Sequence, residues 1–326
     1  MIIAGPNLTL DRMLRIDELR PGEVLRFSEA TIAPGGKGVN VARVCRTLGF
    51  PAVLVALAPG RTGRAVVELL QDEGVELDAV PTGGEARAAS IVLERSGRVT
   101  VLNEPGPTIG GEDWRAFEAA VAVRLSGHRF LVCIGSTPPG SPPDAYGRLV
   151  RLARERGVSS LVDASGESLA NALEAGPELV TPNLAEAEGL LAGAVSQPAA
   201  ERSAEVKDRA LDAAAAMVAR GASTAVVTAG AGVAVGGRSQ RWWVDAPDVT
   251  ERNPIGAGDS LVGGLVGSLE RGDDFRDALA LGVAAASASV ETDLPGLIDR
   301  HRVLRLRRRL PDGDRGNALD ITPVDE

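Results

Sequence analysis

The chain has 326 residues, of which 44% are hydrophobic and 24% are charged, enough for one large α/β domain with a substantial core. Its net charge of -9 argues against nucleic acid as a partner, because proteins that bind nucleic acid carry a basic face. No uncharged apolar stretch reaches the roughly 18 residues of a membrane span, so no membrane partner is expected.

Two further features point to the compartment. Cys45 and Cys133 lie far apart in apolar stretches and are interpreted as buried free thiols in a reducing environment. The N-terminal residues lack the pattern of a signal peptide. The cytoplasm is therefore the expected location.

Short apolar runs alternate along the chain with longer amphipathic segments. The runs predict buried strands at residues 1–4, 52–56, 130–134, 160–162, 179–180 and 225–227. The amphipathic segments predict helices at residues 39–48, 64–73, 112–125, 145–156, 185–191, 208–220, 259–271 and 275–290. Such alternation favours an α/β fold with a mostly parallel central sheet and helices on both faces.

Residues 10–33 and 88–103 break this alternation and predict β structure outside the main sheet. The second stretch is typical of a hairpin whose turn contains Gly97. Together they are interpreted as a small β lid, with ordinary edge strands as the alternative. The domain is expected to cover residues 1–310, and residues 311–326, rich in Asp, Gly and Pro, to be a mobile tail.

A glycine cluster occupies residues 34–42. Gly35 and Gly36 allow close approach to a ligand, and Asn40 offers an acceptor and two donors for sugar hydroxyls. Lys37 is one of two lysines among 35 basic residues, which suggests a need for a compact point charge. The spacing fits neither a Walker A loop nor a dinucleotide fingerprint, and a plain turn is the alternative.

Residues 181–186 read Thr-Pro-Asn-Leu-Ala-Glu at a predicted helix start. Asn183 and Glu186 are three residues apart, so both can face one site, and their oxygens suit Mg²⁺. The alternative is helix capping, with Asn183 as the N-cap and Glu186 at the third helical position.

The strongest motif is Asn-Pro-Ile-Gly-Ala-Gly-Asp-Ser at residues 253–260. Gly256, Ala257 and Gly258 leave backbone N–H groups open at a helix N-terminus, a geometry that binds anions. Asp259, beside that anion, has the position of a general base for an attacking hydroxyl. The alternative is a glycine-rich loop with Asp259 as a helix N-cap.

Other polar residues follow predicted strands. Asp11 is expected in the first loop, residues 135–140 follow another strand, and Asp163 ends a third. In open α/β sheets, ligands bind outside the carboxyl ends of the strands, so these residues converge on one edge.

With these motifs in place, the chain resembles the ribokinase-like (PfkB) carbohydrate kinases over roughly residues 1–300. Residues 34–42 and 253–260 are similar to that family's two glycine signatures, and Asn183 with Glu186 to its N-x-x-E motif. Further stretches resemble the phosphofructokinase and tagatose-6-phosphate kinase branch, namely residues 6–11, 103–107, 135–140 and 161–167.

The resemblance implies a three-layer αβα fold with a β lid, and a lid of this kind implies a homodimer. It implies ATP- and Mg²⁺-dependent phosphorylation of a sugar phosphate: fructose 1-phosphate, or fructose 6-phosphate or tagatose 6-phosphate. Two alternatives remain: a kinase of a neutral sugar or nucleoside, and a catalytically silent sugar-binding regulator.

It also implies roles for individual residues. Asp259 is the catalytic base, and the anion hole is formed by Gly256, Ala257 and Gly258. The sugar is held by Asp11, Gly35, Gly36, Lys37 and Asn40, and its phosphate by Arg26 and Arg87. The nucleotide site contains Asn183, Thr228, Gly230 and Gly232, and Glu186 meets Mg²⁺ through water.

The chain departs from the branch in three places. The lid begins Ala-Arg-Ala-Ala at residues 86–89, where the branch has Thr-Arg-x-Asn. Thr181 stands where the branch has Lys. In the nucleotide loop, Val233 replaces a glycine that occurs one position earlier, as Gly232.

Overall fold

The computed structural model describes residues 1–27, 29–192, 204–238 and 240–310, and the predicted tail at 311–326 lies outside them. Its strands are β1 (Ile2–Asn7), β2 (Thr9–Ile16), β3 (Glu29–Gly35), β4 (Val53–Pro59), β5 (Leu77–Thr82), β6 (Arg87–Glu94), β7 (Val99–Asn103), β8 (Phe130–Ile134), β9 (Ser159–Asp163), β10 (Leu179–Val180), β11 (Thr224–Thr228), β12 (Gly232–Gly237) and β13 (Arg241–Asp245). Its helices are α1 (Lys37–Leu48), α2 (Gly60–Asp72), α3 (Gly111–Arg124), α4 (Ala145–Glu155), α5 (Gly166–Glu174), α6 (Leu184–Ala192), α7 (Ala204–Ala219), α8 (Ala257–Arg271), α9 (Phe275–Ser289) and α10 (Arg300–Arg307).

The main sheet has the strand order β13-β12-β11-β10-β9-β8-β1-β4-β5. From β11 to β5 all neighbours are parallel, because helices connect them. β12 and β13 join through short turns and are antiparallel. This sheet aligns the carboxyl ends of its parallel strands along one edge.

Side chains alternate between two cores, one on each face of the sheet. Ile2 and Ile3 are both fully buried, yet they belong to different clusters, because neighbouring residues of a strand point in opposite directions. One core receives side chains of α1, α2, α8, α9 and α10, and the other receives those of α3, α4, α5, α6 and α7. The three-layer αβα prediction is confirmed.

The lid is a separate sheet of order β3-β2-β6-β7, in which β2 and β6 run parallel. Gly97, with φ 84°, lies in the turn of the predicted hairpin β6–β7. Met13, Ala33 and Ile91 form a small core on the inner face of the lid. The lid is therefore its own sheet and not an extension of the main sheet.

Several elements lie beyond the predicted set: β5, β12, β13, α5 and α10. β12 contains three glycines in six residues, and β5 carries Asp78 and Pro81 at the edge of the sheet, so both lack a typical strand pattern. α10 carries four arginines in eight residues, two of them, Arg305 and Arg307, in its last turn. In the described part of the chain, none of the helices combines the length and apolar character that crossing a membrane requires.

Candidate active site

A cavity of about 2120 Å³ runs along the carboxyl edge of the sheet and under the inner face of the lid. It gathers residues from both glycine signatures, the lid and the ends of the central strands. Fifteen residues expected in the site line it: Asp11, Gly35, Gly36, Lys37, Asn40, Arg87, Asn183, Glu186, Thr228, Gly230, Gly232, Gly256, Ala257, Gly258 and Asp259.

Arg26 is the residue that this cavity does not include. It is exposed in the irregular stretch between β2 and β3, just before the edge strand of the lid. Within one chain, Arg26 does not line the cavity, and its expected role at the substrate's phosphate stays a prediction.

Asp259 lies in the first turn of α8 and is only 5% exposed. Asn40, on α1, donates a hydrogen bond from Nδ2 to Asp259 Oδ2 over 2.7 Å. Burial raises the pKa of Asp259 to about 7, although the positive charge of Lys37 opposes this rise. Asp259 is thus an oriented carboxylate whose affinity for a proton is well above that of an exposed aspartate.

The helix N-terminus beside Asp259 has no side-chain cap. Gly256, with φ 83°, takes the N-cap position, so Asp259 is not the cap and that alternative is wrong. A Cβ built on Gly258 would meet no atom within 4 Å, which shows that the space over this backbone is open to the cavity. The first-turn N–H groups can therefore receive an anion directly beside the Asp259 carboxylate.

The Lys37 side chain lies at the end of the cavity that contains Asp259. Its Nζ lies 2.7 Å from Asp163 Oδ1 and 3.8 Å from Glu186 Oε1. Desolvation lowers the pKa of Lys37, but the carboxylates of Asp163, Asp259 and Glu186 outweigh it and raise the pKa above its usual value. The ammonium group is therefore fully charged at a fixed point beside the anion site.

Thr181 completes the support of Lys37. Its hydroxyl donates to Asp163 Oδ2 over 3.0 Å, and the Asp163 side chain is buried. Where the branch has a lysine, Thr181 thus supplies a hydroxyl that orients the Asp163 carboxylate. The ammonium group at this carboxylate comes from Lys37 instead. Asp163 was expected at this edge of the sheet but without a role, and Thr181 was noted only as a departure from the branch; both now support Lys37.

The lid contributes the far end of the cavity. Asp11 lies on strand β2, not in a loop as predicted, and its carboxylate covers Gly35, where a Cβ would lie 2.0 Å from Asp11 Oδ2. Burial raises the pKa of Asp11 to about 6, opposed by the charges of Arg87 and Arg43. Gly35 is therefore required for the position of the Asp11 side chain.

Buried polar atoms at this end are left for a ligand. Among the described residues, Thr9 Oγ1, Asn40 Oδ1 and Arg87 Nε have no hydrogen-bond partner, and all three residues line the cavity. Buried polar atoms are seldom left unpaired without a reason. Thr9 was not predicted, although it shares a strand face with Asp11 two residues later.

Asn183 and Glu186 form the capping pair that the sequence allows. Asn183 N–H donates to Glu186 Oε2 over 3.0 Å, and Glu186 N–H donates to Asn183 Oδ1 over 2.8 Å. The capping interpretation is confirmed, yet Glu186 Oε1 still faces Lys37 and the cavity. Burial raises the pKa of Glu186.

The donor set is compatible with a hydrated cation. In the described part of the chain, no group of three or more His, Cys, Asp or Glu side chains could hold a metal ion. A metal here would be held mainly by phosphate oxygens and water, with Glu186 as an outer partner, as is common for Mg²⁺.

The opposite end of the cavity is lined by Thr228, Gly230 and Gly232 together with apolar residues such as Val249 and Val283. Thr228 pairs with Asn183 through a parallel β-bridge. A Cβ on Gly232 would lie 2.4 Å from the Trp243 ring, so packing explains why glycine occurs at this position.

Three groups lie together in the cavity between its lid end and its Thr228 end: the buried Asp259 carboxylate, the open N-terminus of α8 and the Lys37 ammonium group. This arrangement belongs to enzymes that transfer a phosphoryl group to a hydroxyl, because it offers a base and an anion site side by side. Residues 8–298 match the family described as pfkB family carbohydrate kinase. The chain belongs to this family and is a carbohydrate kinase.

Individual relatives agree. The chain is 33% identical over 285 residues to the ATP-dependent 6-phosphofructokinase isozyme 2 of Escherichia coli (strain K12), covering 86% of this chain and 89% of the relative. It is 28% identical to the 1-phosphofructokinase of Bacillus subtilis (strain 168), covering 87% and 90%. The structure superposes on that of E. coli phosphofructokinase-2 in complex with fructose-6-phosphate with a TM-score of 0.84, at 30% identity, covering 95% and 98% of the two chains.

Proposed function

We propose that this kinase transfers the γ-phosphoryl group of ATP, with Mg²⁺, to a hydroxyl of a sugar phosphate. Its substrate would be fructose 1-phosphate, or else fructose 6-phosphate or tagatose 6-phosphate, the sugars for which relatives are named. The observation that carries the proposal is the buried Asp259 beside the open N-terminus of α8, with Arg87 at the lid end of the same cavity.

In the proposed reaction, Asp259 accepts the proton of the sugar hydroxyl while that oxygen forms a bond to the γ-phosphorus. The bond from that phosphorus to the oxygen bridging it to the β-phosphate breaks, and ADP leaves with the electron pair. The N–H groups of Ala257 and Gly258 hold the phosphoryl oxygens, and Lys37 stabilises their charge. A bound Mg²⁺ would neutralise phosphate charge, with Glu186 holding one of its waters.

Asn40 has a double part in this proposal. Its Nδ2 holds Asp259 in position, and its unpaired Oδ1 can accept a hydrogen bond from the sugar. Thr9 and Asp11 supply further polar atoms for sugar hydroxyls. We assign Lys37 to the phosphoryl group and not, as the resemblance implied, to the sugar, because Asp163 and Glu186 hold its Nζ and Asp259 lies close to it.

We assign the substrate's own phosphate to Arg87 within one chain, without Arg26. Desolvation lowers the pKa of the half-buried Arg87, although Asp11 opposes this, and a dianionic partner would favour its charge. A neutral sugar is the second candidate, favoured by the apolar lid residues Ala89, Ile91 and Val101 that line the cavity together with Arg87.

The test is consumption of ATP with Mg²⁺ against fructose 1-phosphate, fructose 6-phosphate, tagatose 6-phosphate, fructose, ribose and adenosine. Turnover of one phosphorylated sugar, lost in Arg87→Ala, is the expected result. Turnover of a neutral compound alone would contradict the sugar-phosphate substrate and support a kinase of a neutral sugar. No turnover, with binding of a sugar, would favour the regulator.

We further propose that two copies associate through the outer face of the lid. Ile32 on β3 and Leu102 on β7 are 55% and 63% exposed, and the strand register places them in one row with Arg12 and Ser90. Cross-strand partners share a face, so the outer face of the lid presents Ile32 and Leu102 at its two edges, with Arg12 and Ser90 between them. A second copy of the chain offers the same surface and is the partner proposed.

The buried, unpaired state of Cys45 and Cys133 supports work in a reducing compartment. We propose the cytoplasm, where ATP and sugar phosphates are available.

A further inference from the structure

The segment between α9 and α10 touches the lid. In residues 292–297, here called the connector, the Asp293 carboxylate lies 3.0 Å from Arg15 Nη2 on lid strand β2. Leu294 packs against the inner core of the lid, beside Met13 and Ile91. A cavity of about 190 Å³ remains between these surfaces, so they meet without being continuously packed. Such a contact can form and separate when the lid moves.

The connector also holds the loop that precedes α8. The buried Asn253 donates from Nδ2 to the backbone carbonyl of Asp293 over 2.9 Å, and its Oδ1 accepts from Ile255 N–H over 3.0 Å. Ile255 itself packs against the same lid core as Leu294. Asp293 thus contacts the lid through its side chain and, through its backbone carbonyl, holds the start of residues 253–258, here called the anion-binding loop.

Two close approaches complete this arrangement. A Cβ on Gly256 would lie 2.9 Å from Pro295 Cβ, and a Cβ on Gly296 would lie 2.7 Å from Asn40 Cα. The connector is therefore wedged between the N-cap of α8 and the residue that holds Asp259. A shift of the connector must displace at least one of them, because closely packed backbones leave no free space.

We propose that the connector transmits closure of the lid to the anion-binding loop, and that Arg15 and Asp293 are positioning residues for phosphoryl transfer. The inference rests on the proposed kinase reaction. When a sugar draws the lid down, the Arg15–Asp293 ion pair and the Leu294 contact seat the connector against Gly256 and Asn40. The N–H groups of Ala257 and Gly258 then take the orientation that the phosphoryl group requires. Before the lid closes, ATP is bound but poorly positioned for hydrolysis.

The first test compares Arg15→Ala with Arg95→Ala. Arg95 is the matched control, because it also forms an ion pair on the lid, with Asp17, away from the connector. Using the sugar found by the panel above, Arg15→Ala is expected to lower kcat about two- to fivefold, the range for a partly exposed ion pair. The KM for ATP and the slow ATP hydrolysis without sugar are expected to stay at wild-type values. Arg95→Ala is expected to match the wild type throughout.

The second test exchanges the charges. Asp293→Arg alone should lower kcat, and Arg15→Asp combined with Asp293→Arg should recover most of it, which a merely structural role would not produce. Hydrogen exchange of residues 253–258 adds a readout independent of turnover. Addition of sugar should protect this loop in the wild type and less in Arg15→Ala.

Two results would overturn the inference in a protein that is an active kinase: equal kcat for the Arg15 and Arg95 variants, or no recovery in the exchanged pair. An inactive wild type would instead count against the proposed function. Equal protection of residues 253–258 by sugar in the wild type and Arg15→Ala would contradict the inference even then.

Discussion

At the scale of single residues, Asp259 combines two demands that oppose each other. Its carboxylate must be ionised to accept a proton, yet the side chain is buried next to Asp163 and Glu186, whose charges raise its pKa further. The charge of Lys37 and the hydrogen bond from Asn40 lower the pKa of Asp259 and so keep it close to neutral pH. A base whose pKa lies near the working pH transfers protons efficiently.

Replacing Asp259 by Asn should lower kcat by about 10²- to 10⁴-fold, the usual contribution of general base catalysis. The amide is nearly isosteric, so the anion-binding loop and the affinity for ATP should be preserved. Steady-state kinetics and titration calorimetry would measure both quantities. Asp277→Asn, an exposed acid in the first turn of α9, is the control. A variant that keeps more than about a tenth of wild-type kcat would contradict the assignment.

Local pattern was sufficient to find Asp259, because the glycine loop and the helix start lie next to it in the sequence. The contact between Asn40 and Asp259 joins residues 219 positions apart, and no local pattern contains it. The type of Arg26 suits a phosphate, but no local pattern shows whether it reaches the cavity, and the lining residues of one chain do not include it. Residue type was thus informative about chemistry and uninformative about distance.

At the scale of elements, the central strands were the most predictable. β8 and β10 have the predicted bounds, because strands buried on both faces are short apolar runs. β12 was missed because its glycines are tolerated through packing against neighbours such as Trp243. α5 was missed because only three of its nine residues, Leu169, Ala172 and Leu173, are buried, which leaves a weak apolar pattern. The lid was predicted from turns and alternation, but the parallel pairing of β2 with β6 depends on tertiary structure.

The lid's outer face carries a prediction of its own. Leu102→Lys replaces an exposed apolar side chain of this face by a charge and should weaken the proposed dimer at least about tenfold, since desolvating a lysine there is costly. Light scattering after size exclusion would show a monomer at concentrations at which the wild type is dimeric. Val123→Lys, at an exposed apolar position on α3, is the control. A monomeric wild type, or a dimeric Leu102→Lys, would exclude this face.

At the scale of the whole molecule, the buried carboxylate of Asp259 lowers the stability of the folded protein. The pKa of Asp259 is about 7 in the folded protein, above the value of 3.8 of an exposed aspartate. The unfolded chain therefore loses this proton first as pH rises. Stability should be highest below about pH 4 with respect to this group and should fall as pH rises through about 7.

Asp259→Asn should remove this dependence. We expect the variant to be more stable than the wild type at pH 8, on the order of 2 kcal/mol, and the gain to be smaller at pH 5. Urea unfolding at the two pH values gives the free energies directly. The control Asp277→Asn should show no such gain in the free energy of unfolding at either pH. A gain in stability at pH 5 that equals the gain at pH 8 would show that the Asp259 carboxyl is not the cause.

The division of labour between the two sheets has a consequence for how this enzyme could diversify. Arg87, Ala89 and Ile91 alternate along β6 and all line the cavity, whereas Asp259 and the anion-binding loop belong to the main domain. Substitutions at every second position of one lid strand can therefore alter which sugar is accepted and leave the chemistry intact. For the same reason, this strand is where a laboratory effort to retarget the enzyme to a new sugar should begin.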